Sequence, residues 1–183
     1  MPFYMYDPPQ RFVAGAVGQP GERTFYLQAS DGSRVTSVSL EKFQVTQLAE
    51  RLDELLDEVL RRTGGAASGP SVSAADDGPL DLPLMEEFRV GAIALAWDGE
   101  TDRVVIEAQE ESESPVEPLA DDIPVDGPGV LRVRLTPQAA RAFAQRALRI
   151  VAQGRPPCPL CGLPLDAAGH VCPRQNGYRA GHD

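Results

Sequence analysis

RFVAGAVGQPGERTFYLQASDGSRVTSVSL, residues 11–40, is the stretch that decides the fold. Its apolar runs are separated by Gln19, Pro20, Gly21 and Glu22 and then by Asp31 and Gly32, the residues that close tight antiparallel turns. Three antiparallel strands follow from that reading. A strand group with one apolar face needs a partner layer, and the next segment supplies it. From about Glu41 to Arg62, Leu48, Leu52, Leu55, Leu56 and Val59 recur at steps of three and four. Glu50, Asp53, Glu54, Asp57 and Glu58 crowd the opposite side, the pattern of an amphipathic helix.

Working outward, residues 64–79 (GGAASGPSVSAADDGP) carry too little apolar side chain to offset the entropy of ordering them, which predicts a flexible linker. Residues 88–110, FRVGAIALAWDGETDRVVIEAQE, then form a second hairpin turning at Asp98 and Gly99. Trp97, beside that turn, is expected to pack into the core. The acidic, proline-containing residues 110–128 read as a disordered loop, and GVLRVRL returns as a strand. The last helix has Thr136 as N-cap, Pro137 in its first turn and Gly154 past its end. Ala140, Phe143, Ala144, Ala147, Leu148 and Val151 make its apolar stripe, and Arg141, Gln145 and Arg149 line another side.

The two halves read as one βββα unit used twice, over about 10–62 and 88–153. Val38, Leu40, Val45, Leu48 and Leu52 match Val133, Leu135, Ala140, Phe143 and Ala147 at a constant offset. The expected class is α+β, with two antiparallel sheets or their helices packed about a pseudo-twofold axis because a lone three-stranded unit buries little. The duplicated domain is expected over 1–154, with a separate tail at 155–183.

That tail contains CPLCGLPLDAAGHVCPRQNGY. A C-x-x-C turn, with Gly162 directly after its second cysteine, brings two thiolates to one ion, and His170 and Cys172 supply a second pair. Cys158, Cys161, His170 and Cys172 are the expected ligands of one structural zinc per chain. His182 is the other histidine that could serve as the fourth donor. Four protein ligands leave no open position for catalysis, and no catalytic constellation is evident elsewhere. A redox pair fits less well, since a thioredoxin-like C-x-x-C opens a helix in a βαβ setting. The chain's cysteines, 3 in all, are too few and too clustered for a disulfide framework.

The net charge of −10 opposes binding to polyanions. The C-terminal end is nonetheless basic, and nucleic acid could be met only through Arg141, Arg149, Arg155 and Arg174. The opening MPFYMYDPPQ has no basic leader and no apolar run is long enough to span a bilayer, so a cytoplasmic protein without membrane contact is expected.

YDPPQRFVAGAVGQPGERTFYLQA near the start and CPLCGLPLDAAGHVCPRQNGY at the end resemble an actinobacterial family of unknown function. Its C-terminal motif, CPxCG...GHxCPRxNGY, is zinc-ribbon-like. The resemblance covers essentially the whole chain and carries no assigned activity. It implies genes placed near thiol-cofactor biosynthesis and beside kinase-like and phosphatase-like proteins, and so an accessory role. The function expected is that of a zinc-binding adaptor with a protein partner. The alternatives are an enzyme or small-molecule binder with its site between the two βββα units, and a nucleic-acid binder using the arginine-rich end.

Overall fold

The computed structural model describes residues 2–65, 76–122, 125–154, 157–163, 165 and 170–174. The elements run β1 (Phe3–Tyr6), β2 (Arg11–Val17), β3 (Thr24–Asp31), β4 (Arg34–Leu40), α1 (Lys42–Thr63), β5 (Glu86–Asp98), β6 (Arg103–Glu110), β7 (Val130–Leu135) and α2 (Pro137–Ala152). The α+β class is as expected. Within the order, βββα occurs twice, as β2-β3-β4-α1 and β5-β6-β7-α2.

The sheets are not separate. One seven-stranded sheet runs β1-β7-β6-β5-β4-β3-β2, antiparallel except where β4 meets β5 and β1 meets β7 in parallel. This corrects the expectation of two antiparallel sheets about a pseudo-twofold axis. Joining β4 to β5 pairs edge groups that two separate sheets would leave open. β1 was not anticipated, because its partner β7 is far away in sequence and no local pattern announces a parallel pairing.

Each helix is set by its caps. Glu41 and Gln44 form a capping box at the start of α1, with the Glu41 N–H donating to Gln44 Oε1 at 2.8 Å. Gly64 closes α1 in the left-handed region at φ 62°, its N–H donating to the Leu60 carbonyl. Thr136 Oγ1 accepts from the Ala139 N–H at 3.1 Å at the start of α2. Both helices bury their apolar stripes in a core shared with Tyr6, Leu27, Val38, Ile106, Leu131 and Val133, and Phe12 of β2 stacks on Phe143 of α2 at 4.6 Å. All the positions matched between the halves are buried, from Val38 and Leu48 to Val133 and Phe143. Trp97 packs against the core, half-buried.

Both segments expected to be loose are tied down in part. Of the linker, residues 66–75 lie outside the described residues, but Asp76, Asp77, Gly78 and Pro79 are held by arginines. Arg11 Nε donates to Asp76 Oδ2 at 2.6 Å, Arg146 Nη2 to the Gly78 carbonyl at 2.8 Å and Arg149 Nη2 to Asp77 Oδ1 at 2.8 Å. Leu80 then packs over Gly15, where an added Cβ would come within 2.6 Å of it. Ion pairs and this contact order a stretch whose composition alone argues for flexibility. In the acidic loop, the Leu119 N–H donates to Glu107 Oε1 at 3.0 Å and Arg132 Nη2 to the Ala120 carbonyl at 2.7 Å. That part of the loop is therefore docked, against the expectation of disorder.

Candidate metal centre

The centre is built by a turn that the sequence dictates. Cys158 N–H donates to the Leu163 carbonyl at 2.7 Å, and Gly162 N–H donates to the Cys158 carbonyl at 2.8 Å. Gly162 sits at φ 74°, in the left-handed region that glycine adopts without strain. The chain thus curls around the Cys158 and Cys161 side chains. His170 and Cys172 return to the same place, and the ligand atoms of Cys158, Cys161, His170 and Cys172 all lie within 4.8 Å of one another.

The spacing favours a metal over a disulfide. Cys158 Sγ and Cys172 Sγ are 3.9 Å apart, against about 2.05 Å for a disulfide. Two sulfurs about 2.3 Å from a tetrahedral ion stand roughly 3.8 Å apart. Cys161 Sγ and His170 Nε2 are 3.1 Å apart, a separation that admits bonding to one centre after a small outward shift. Cys158 and Cys172 are buried, and Cys161 and His170 partly so. Backbone N–H groups of Cys161 and Leu160 directed at Cys158 pull its thiol down to about 6. Burial pushes the Cys161 thiol up. One thiolate is therefore favoured by the backbone, and the second would be stabilised by a bound cation. Arg174 Nη1 donates to the Leu160 carbonyl at 3.0 Å, bracing the turn from outside. His182 lies outside the described residues, whereas His170 is in the cluster.

The arginines expected as a basic face are largely engaged within the chain. Arg141 pairs with Asp53 and Asp57 of α1, each at 2.7 Å, and Arg149 pairs with Asp77. Arg174 braces the metal turn, and Arg155 lies outside the described residues. Sequence reading missed Arg146, which is 5% exposed at the border of the apolar side of α2. It donates to the Ala14 carbonyl at 2.9 Å and to the Asp76 carbonyl at 2.5 Å. Burial lowers its pKa, while Asp76, bonded first to Arg11, is held below the usual carboxylate range.

Among the described residues, no helix is long and apolar enough to cross a membrane. The fold and the cluster together define an α+β protein with a C-terminal Cys/His site able to hold a metal ion. The chain belongs to the family described as "Protein of unknown function (DUF3090)", whose model matches residues 4–172. The matched span reaches through Cys172 and so includes all of the cluster. No curated protein and no solved structure matches the chain.

Proposed function

We infer that Cys158, Cys161, His170 and Cys172 hold one structural zinc ion, and that the protein acts as an accessory adaptor whose stapled tail meets a protein partner. The convergence of three sulfurs and one nitrogen within 4.8 Å carries the reading, since this donor set suits zinc and fills a tetrahedron. A fully ligated ion supplies folding energy and no open position for chemistry. The short apolar side chains of the tail cannot order it alone, and Leu160, Leu163 and Val171 stand exposed around the centre. Exposed apolar groups on a metal-rigidified turn are a contact surface prepared at low entropic cost.

Repeated βββα connectivity, with buried residues at matching positions of both halves, supports an internal duplication behind the body. A cytoplasmic site of action belongs to this reading, and among the described residues no helix is long and apolar enough to cross a membrane. The adaptor reading is tested by affinity purification from the native cell with the parent and a Cys172→Ser variant. A stoichiometric protein retained by the parent and lost with the variant supports it. A co-purifying polynucleotide, or a partner indifferent to the variant, contradicts it.

A further inference from the structure

β5 is much longer than the strand beside it. It spans 13 residues, but its pairing with β4 ends at Arg89, opposite Ser39. Beyond Val90, whose carbonyl accepts from Gln44 Nε2 at 3.2 Å, no strand among the described residues lies on that side of β5. The open stretch, residues 91–97, reads GAIALAW. None of these residues is fully buried. It also carries no side chain of the kind that blunts an edge: it has no lysine, no proline and no charge. Its bulge at Gly91 lies at one end and leaves residues 92–97 regularly paired with β6.

Two observations place a centre at Ala94. The open stretch is centred there by its own limits, the Gln44 cap on Val90 and the turn at Asp98. The side-chain sizes are also symmetric about it: Ala92 and Ala96, then Ile93 and Leu95, flank Ala94. An antiparallel pairing of this edge with itself sets Ile93 opposite Leu95 on one face and alanine opposite alanine on the other, the self-complementarity that a twofold contact demands. At the ends, Arg89 is already engaged by Glu41 and Glu111 and Asp98 by Arg134, so the contact is carried by the apolar edge.

There is room for the second strand. A cavity of about 530 Å³ opens against the edge, lined by Phe43, Gln47 and Arg51 of α1, Ile93 and Leu95 of β5, and Leu119. Phe43 is 61% exposed there. Leu119 holds a left-handed backbone at φ 62°, a conformation that costs energy in a branched residue and persists here because Glu107 and Arg132 pin the loop on both sides of it. The Trp97 rings brought by the second copy would arrive at the Gly91 end, where Phe43 stands uncovered.

We propose that this protein forms a twofold dimer in which β5 pairs antiparallel with β5 of a second copy about Ala94, joining the two sheets into one. This contact is independent of the adaptor reading.

The test uses the full chain. Sedimentation velocity is expected to give twice the chain mass, and Ala94→Lys, which sets two ammonium groups side by side at the axis, is expected to give a monomer with unchanged circular dichroism. Ala94→Cys keeps the test open should the lysine variant fail to fold. Cα atoms facing one another across paired strands are about 4.5–5.5 Å apart, within disulfide reach, so mild oxidation is expected to cross-link Ala94→Cys into a covalent dimer. Ala96→Cys and the parent should not cross-link, because the two residues 96 would be more than about 13 Å apart. A monomer at every concentration, or a dimer in which Ala94→Cys cross-links no better than the parent, would overturn the proposal.

Discussion

Glu107 and Arg132 face each other across β6 and β7 as a buried ion pair, their side chains 1% and 12% exposed. Arg132 Nε donates to Glu107 Oε2 at 2.8 Å, while Gln109 Nε2 and the Leu119 N–H donate to Glu107 Oε1 at 2.8 and 3.0 Å. Both carboxylate oxygens are thus satisfied, and the remaining reach of Arg132 fixes the Ala120 carbonyl. The pair docks the acidic loop on the sheet face away from the helices.

Glu107→Gln leaves a guanidinium without its counter-charge in a desolvated site. Breaking a buried pair in this way costs about 3–5 kcal/mol. Urea denaturation is expected to show a loss of that order, and hydrogen exchange at Leu119 should quicken well beyond that of the β2 amides. An unchanged midpoint would show that the pair contributes nothing net.

At the other end of the sheet, Arg146 satisfies the Ala14, Asp76 and Gly78 carbonyls from within α2. Arg146→Met keeps the stem's packing and removes those bonds, at an expected cost of about 2–4 kcal/mol. Limited proteolysis should then cut near Asp77 and Gly78, which the parent protects. Equal protection in the variant would assign the ordering of this segment to Arg11, Arg149 and Leu80.

Asp76 gives that junction a pH dependence. Its folded pKa lies below the ordinary carboxylate value because of the Arg11 bonds. Its contribution is therefore fully present above the unfolded value of about 3.9 and is lost as pH falls through the lower folded value. Asp76→Asn should flatten this acid limb of the stability profile and lower stability at neutral pH. A variant with the parent's acid limb would contradict the assignment.

Much of this fold was legible because the signals were local. Asp31 and Gly32 mark the β3–β4 hairpin, and Thr136 with Pro137 marks the start of α2. The C-x-x-C-G run marks the metal turn. What was missed depends on distant partners. Glu107 lies between Ile106 and Ala108, whose side chains face the core, so alternation points it to solvent. It is buried because Leu119 and Ala120 return over it. Asp76 sits in a glycine- and serine-rich stretch, and nothing local reveals that Arg11 and Arg146 converge on it. The parallel joints of β1 with β7 and of β4 with β5 leave no mark in either strand.

In the tail, Cys161→Ser and Cys172→Ser should each release the ion and expose residues 157–163 to exchange, while α1 and α2 keep their circular-dichroism signal. His170→Ala should weaken metal retention, and His182→Ala should leave it unchanged. The reverse pattern would reassign the fourth ligand.

Elemental analysis of the full chain, purified without chelator, tests the central claim most directly. The arrangement of Cys158, Cys161, His170 and Cys172 within 4.8 Å predicts one zinc per chain, released with loss of tail order when the thiols are protonated or alkylated. Protein that carries no zinc and whose tail is equally ordered in the presence of chelator would contradict the account.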